Sequence, residues 1–266
     1  LNIIVCVKQV LDPEIPPAKF TLDTESKQVI PPEGIPPVIN PYDAQAVELA
    51  LQLKEKHGGK IVVLTVGTEA AGSVVKHALS MGADDGVVLA DEAFSGSDSF
   101  GIAHILTKAI GRIGDYDLVL CGRQAADWDE GLVGSIIAEN LGLPLVILAK
   151  AIDVAGEELR VMRVTLDGYQ VFAVPTPALV TISNEVGQPR LPSGWGIISA
   201  ARKQLPVWKA QDIDADPSQI GAAAVRRKLE RLFIPKRERK CEIVSGETVA
   251  EAAGKLAERL RQTGVI

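Results

Sequence analysis

A chain of 266 residues, 47% of them hydrophobic, is long enough to bury a full α/β core. Its net charge of −6 and pI of about 5.2 argue against a general nucleic-acid binder, which needs a cationic surface to displace counterions. The charge is uneven: residues 226–240 hold eight basic and two acidic side chains, a local +6, so the rest carries −12, and such a run suits an acidic partner surface.

The chain opens LNIIVCVKQV, an apolar stretch too short for a span and without the basic start and cleavage site of a signal peptide. With three cysteines, two of them (Cys6 and Cys121) within or at the end of predicted buried strands, the expected location is a reducing cytoplasm, with no membrane insertion. His57, His77 and His104 lack a second ligand at useful spacing, so no metal site is expected.

Apolar runs then alternate with helical patterns, the signature of βαβ units. The first strand spans 3–7. After a Pro-rich loop a helix begins, with Asn40 placed to cap it, Pro41 suited to its first position and Asp43 favouring its positive end. Ala46, Leu49, Ala50 and Leu53 form its apolar stripe, and His57-Gly58-Gly59 ends it. Next come the strand KIVVLTVG, a helix over 69–81, the strand GVVLAD, a helix over 98–112 and the strand DLVLCG. A helix over 131–141 and the strand PLVIL follow. The fold class is α/β: a doubly wound, mainly parallel, Rossmann-like sheet of about five strands, with ligands expected outside the strand C-termini, after Val7, Val66 and Gly122.

Beyond residue 145 the β-rich stretches around AGEE and LDGY read as hairpins added to the sheet edge. Residues 187–240 show little periodicity and are expected to lie on something else or stay mobile. A last helix has a capping box from Thr248 to Glu251 and an apolar stripe of Val249, Ala252, Ala253, Leu256 and Leu260 that needs a surface to cover. The parts are thus a nucleotide-binding domain (1–186), a partner-recognition loop with an extended basic arm (187–240) and a C-terminal helix packing on a partner or the core (241–266).

No GxGxxG follows a strand, and the stretch from Gly67 to Gly72 has Walker spacing without the phosphate-binding Lys. SGSDS at 95–99 resembles the loop of ATP pyrophosphatases but follows the third strand, where a Ser/Asp-rich helix start explains it. The loop CGRQAADWDEGLVGS is better placed, because it leaves a central strand and enters a helix whose free N–H groups attract phosphate. Arg123 suits a phosphate and Gln124 either hydrogen-bonding role, while Asp127 or Asp129 suits a ribose hydroxyl or a helix cap. Gly131 and Gly134 permit close approach, Trp128 reads equally as packing or a stacking surface, and Glu130 opposes phosphate at its own position. An ordinary solvated βα loop is the competing reading. Ser135 lies near Asp129 with no histidine nearby, so no nucleophile, base and orienting group assemble. The pattern is that of a cofactor binder rather than a group-transfer enzyme.

Five stretches, IIVCVKQVLDP, INPYDAQAVELALQLKE, ALSMGADDGVVL, DLVLCGRQAADWDEGLVGSIIAENLGLP and PALVTISNEVGQPRLPSGWGIISAARK, resemble in order the β subunit of electron-transfer flavoproteins. The pattern is nearest to the bifurcating-type and nitrogen-fixation-related members. The resemblance implies a heterodimer with a larger α subunit carrying redox-active FAD, which passes electrons between a flavin dehydrogenase and an acceptor. It also implies a β-subunit nucleotide site: Cys6, then Asn40, Pro41, Tyr42 and Asp43, then Val66 and Gly67. The site continues through Gly122, Arg123, Gln124, Ala125, Ala126, Asp127, Trp128, Asp129, Glu130, Gly131, Leu132, Val133 and Gly134. Ordinary members hold AMP there; bifurcating members hold a second FAD, reduced by NADH.

AFSGSDS, with Phe94, Gly96, Asp98 and Ser99, resembles the segment of bifurcating members that approaches the second flavin, and favours FAD. Trp128 and Glu130, where those members have a small and a neutral residue, favour AMP. In the family's dehydrogenase-recognition segment Gly194 stands where some members place an anchoring leucine, so Leu191 or Trp195 is the expected anchor, or Trp195 packs on its own subunit. Two readings of other classes stand beside the carrier: a non-redox nucleotide-binding scaffold and an ATP-using ligase or pyrophosphatase.

Overall fold

The computed structural model describes residues 1–156, 158–235 and 241–266. The apolar run IIVC forms the buried body of β1 (Asn2–Cys6). After it the chain makes two small antiparallel ribbons, β2 (Gln9–Val10) with β5 (Val38–Ile39) and β3 (Thr21–Asp23) with β4 (Gln28–Ile30). Helix α1 (Pro41–His57) then buries its expected stripe of Ala46, Leu49, Ala50 and Leu53 and stops at Gly58, whose φ of 71° suits a residue without Cβ.

The alternation continues through β6 (Lys60–Val66), α2 (Gly72–Met81), β7 (Asp85–Leu89), α3 (Ser99–Ile113), β8 (Leu118–Gly122), α4 (Val133–Leu141) and β9 (Leu145–Ala155). It is followed by β10 (Glu158–Thr165), β11 (Gly168–Pro175), β12 (Ala178–Ile182), α5 (Gly194–Arg202), β13 (Val207–Trp208) and α6 (Val249–Gln262). One nine-stranded sheet runs β11-β10-β9-β12-β8-β1-β6-β7-β13. Helices α1 and α2 bury their apolar residues on one face of it, α3 and α4 on the other, so two separate apolar clusters sandwich the sheet. The architecture is α/β and doubly wound, as the alternation predicts.

Three expectations are corrected. The parallel part has seven strands rather than about five, because β12 and β13 join it. β10 and β11 do form an edge hairpin. β12 does not: it turns back between β8 and β9, with all five residues buried, and covers edges that would otherwise stay unpaired. The segment after 187 lies on the rest of the chain over its described part, the first of its two expected states. α5 packs on α2, β13 pairs with β7, and Arg190 is held by Glu48 and Glu55 of α1. Finally, the side chain of Asn40 does not cap α1.

Thr248 accepts the N–H of Glu251, but the Glu251 carboxylate takes the N–H of Glu247 rather than closing a reciprocal box on Thr248. No residue of α6 is buried; of its apolar stripe Ala252 and Leu260 are half-buried, while Val249, Ala253 and Leu256 are left exposed by this chain's own described residues. Residues 236–240 of the basic run lie outside the described residues.

Candidate functional site

From β1 the chain winds outward to β6 and β7, then returns to place β8 on the other side of β1. The order reverses between β1 and β8, so a crevice lies between Cys6 at the end of one strand and Gly122 at the end of the other. Asp43, in the first turn of α1, spans it. Its Oδ2 accepts the N–H of Lys8 at 2.7 Å and its Oδ1 that of Gly122 at 3.1 Å. Burial pushes the Asp43 carboxyl up to about 7, while the two N–H donors and the Lys8 charge pull the other way. Gly122 has to be glycine here, since a Cβ would lie 2.8 Å from the Tyr42 main chain.

Asn40 does something other than cap. Its Nδ2 donates to the carbonyl of Gln124 at 2.8 Å and its Oδ1 accepts the N–H of Ala126 at 3.1 Å, so a fully buried amide fixes the loop after β8. The loop is tied again at Asp127, whose carboxylate meets Lys8 Nζ at 2.6 Å, and by Gln124 Nε2 donating to Asp129 at 2.7 Å. Neither aspartate caps α4. That helix begins with no capping side chain and no acidic residue in its first turn, which leaves its first N–H groups to an anion. Gly131 takes a φ of 63° close to the Arg123 carbonyl, and Gly134 lets α4 sit on the sheet, where a Cβ would be 2.9 Å from Thr181 Cγ2. Leu132 and Val133 complete the turn into the helix, Ala125 accepts the N–H of Asp129, and Trp128 is 49% exposed. Arg123 lies over the Tyr42 ring and donates to Asn184.

The segment 93–99 joins this loop from the next strand end. Asp98 caps α3 by accepting the N–H groups of Phe100 and Gly101, while its other oxygen accepts those of Arg226 and Arg227 at 2.6 and 3.2 Å. Burial raises the Asp98 carboxyl, but these four donors outweigh it and hold it below its usual range. Ser99 donates to Glu130, which also pairs with Arg227 at 2.7 Å. Phe94 is a core residue, and a Cβ on Gly96 would press on Ala222 of the arm. The arm therefore runs along 96–100 and past Glu130. It reaches the β3–β4 ribbon, where Lys27 Nζ donates to the carbonyl of Leu229.

Val66 and Gly67 sit at the next strand end, with the Gly67 N–H on the Leu89 carbonyl. The residues of the other predicted segment stand apart: Leu191 is 89% and Trp195 77% exposed, so Trp195 does not pack on its own subunit. Gly194 is the first residue of α5, in a segment pinned to α1 by Arg190. A concavity of about 660 Å³ between α3, the end of α4 and the 212–219 turn contains none of these residues.

Sequence reasoning missed Lys8, Asn184 and Arg227. Lys8 lies two residues past the end of β1, the only signal for it. Arg227 was visible as part of the basic run, but that run pointed outward to a partner rather than to Glu130.

A family description of an electron transfer flavoprotein domain matches residues 29–213. The electron transfer flavoprotein subunit beta of Thermoanaerobacterium thermosaccharolyticum is 39% identical over all of both chains. Subunit CarD of the caffeyl-CoA reductase-Etf complex of Acetobacterium woodii is 35% identical over all of both chains, and protein FixA of Azorhizobium caulinodans 34% identical over 97% of this chain and 93% of its own. With the doubly wound sheet and the crevice between β1 and β8, these likenesses carry one conclusion: the chain belongs to the electron transfer flavoprotein family, among its β subunits.

Proposed function

We propose that the chain pairs with an α subunit in a heterodimeric carrier that moves electrons between a flavin dehydrogenase and an acceptor. Its own nucleotide site is the crevice between β1 and β8, and the ligand is FAD. The observation that carries this reading is the uncapped start of α4 at the switch point, beside main chain left open by Gly122, Gly131 and Gly134. These residues fit a pyrophosphate: free amides face it and no acidic group stands in the first turn of α4. Bound FAD would supply one- and two-electron chemistry, with NADH as the donor of a pair. The protein's part is to hold and orient it: Asn40 and Lys8 fix the loop, Asp43 fixes the two strand ends, and Arg123 lends positive charge.

AMP in the same crevice is a second reading. The observation in its favour is that Glu130 is committed to Ser99 and Arg227, with the arm laid along 96–100, the route on which a longer ligand would extend.

On this proposal residues 1–186 form the nucleotide-binding part, 187–240 the recognition segment and arm, and 241–266 a helix for the α subunit. Leu191 and Trp195, exposed on a segment pinned by Arg190, are the anchor for the dehydrogenase. The test is the cofactor content of the heterodimer purified under mild conditions. Two FAD and no AMP is the expected result. One FAD with one AMP gives the second reading, and a colourless heterodimer overturns the carrier.

A further inference from the structure

The loop between β8 and α4 is tied down in three directions. Toward α1 it is closed by the buried amide of Asn40 and by Lys8 on Asp127, and toward β12 by Arg123 on Asn184. Toward α3 the closure comes from the arm: Arg227 pairs with Glu130 at 2.7 Å, and Ser99 at the start of α3 donates to the same carboxylate. The first two closures come from residues at the ends of β1, α1 and β12. The third is carried by a segment that, from 221 to 235, has no strand and only one helical turn, over 222–224.

The arm itself is seated on the start of α3. Gly221 donates its N–H to Ser97 Oγ at 2.8 Å, Asp98 accepts the N–H groups of Arg226 and Arg227, and the Arg226 guanidinium lies over the Phe100 ring at 4.8 Å. Gly96 makes the seat possible, since a Cβ there would come within 2.9 Å of Ala222 Cβ. Among the described residues, only the Arg227 side chain ties the arm to the β8–α4 loop. Parting it from Glu130 therefore opens the α3 side while the main chain of the arm stays on Asp98.

Glu130 stands three residues before Val133, the first residue of α4, so the pair lies beside the helix's free N–H groups. A nucleoside monophosphate ends at those groups. A dinucleotide with its pyrophosphate there continues past them, and with the α1 and β12 sides closed its second half runs over the start of α3. We propose that the Arg227–Glu130 pair filters ligands by length, staying closed over AMP and being parted by FAD. This rests on the nucleotide reading above. The obstacle is one partly exposed ion pair, so it lowers FAD affinity by only about threefold to fivefold. Linkage makes the effect reciprocal: bound FAD loosens the arm by the same factor, and the arm thus responds to which nucleotide fills the crevice.

The test uses the heterodimer with the crevice stripped, and labelled AMP as the probe, which reports the crevice alone whatever FAD the α subunit holds. Displacement of the label by FAD and by ADP gives a ratio of affinities in which charge effects on the shared pyrophosphate largely cancel. Arg227→Gln and Glu130→Gln are each expected to raise the FAD-to-ADP ratio about threefold to fivefold. In the wild type, saturating FAD should speed trypsin cleavage after Arg227 by a similar factor, and saturating AMP should not. An unchanged ratio in either variant, or equal cleavage under FAD and AMP, overturns the filter and leaves the nucleotide site standing. Labelled AMP finding no site contradicts the nucleotide reading itself and removes the filter with it.

Discussion

Asp43 Oδ1 and the Gly122 N–H meet at 3.1 Å, and the other oxygen of that carboxylate holds the Lys8 N–H. One side chain from α1 thus fixes both strand ends of the crevice. Burial raises its folded-state pKa from 3.8 to about 7. Between those values the folded protein binds more protons than the unfolded chain, so this group makes stability fall as pH rises through the window and level off above about 7. Asp43→Asn removes the titration but turns an NH2 toward one of two N–H donors, a penalty of about 1–3 kcal/mol that does not vary with pH. The urea midpoint of the variant relative to the wild type is therefore expected to climb from pH 5 to pH 8. A constant difference would contradict this assignment.

Asp98 caps α3 and anchors the arm, whereas Glu130 only holds the arm's Arg227 and Ser99. Asp98→Ala is expected to cost about 1–2 kcal/mol in urea unfolding, as the loss of a helix cap does. Glu130→Gln, which removes a partly exposed pair, changes global stability by less than about 1 kcal/mol. It nevertheless removes one of the arm's ties while Asp98 and Lys27 keep theirs, so trypsin should cut after Arg227 several-fold faster. Equal cleavage rates would show that the arm is held elsewhere.

Glycines at two positions predict opposite outcomes. Gly134→Ala sets a methyl against Thr181 and lifts the start of α4, costing about 1–3 kcal/mol and weakening nucleotide affinity. Gly254→Ala in α6 meets no atom within 4 Å and gains up to about 1 kcal/mol of helix propensity. Thermal unfolding with and without nucleotide checks both; equal effects would mean that the close approach of α4 to the sheet is wrong.

Trp195 contributes exposed apolar surface and no core packing. Trp195→Ala should leave the melting temperature unchanged and raise KM for the dehydrogenase at least tenfold, as loss of a binding anchor does. Arg190→Ala should cost about 2 kcal/mol of stability through its bonds to Glu48 and Glu55 and loosen the same segment. Unaltered electron transfer in Trp195→Ala removes the anchor.

How much of this was legible follows from the range of each interaction. β1, β6, β7 and β8 read from local apolar runs, and α1 from its stripe and Pro41, because both signals lie within a few residues. The place of β12 between β8 and β9 did not, since lateral order depends on crossovers rather than on local pattern. Asn40 misled for a related reason: a cap is a local role, but its amide serves residues 84 and 86 positions away. Ser193 shows the same limit, capping an α5 whose surroundings read only as loop. The crevice was found because strand ends and the switch-point rule are topological consequences of the alternation. The clasp of Lys8 on Asp127 and of Arg227 on Glu130 was not, because the partners are 119 and about 100 residues apart.

Hydrogen exchange on the heterodimer, stripped and then reloaded with nucleotide, tests the central claim most directly. Nucleotide seated in the β1/β8 crevice should slow exchange at Gly131–Ile136 and around Lys8 and Gly122 while leaving the β9–β11 hairpin unchanged. Unchanged exchange at the start of α4, with protection elsewhere in this chain, would contradict it.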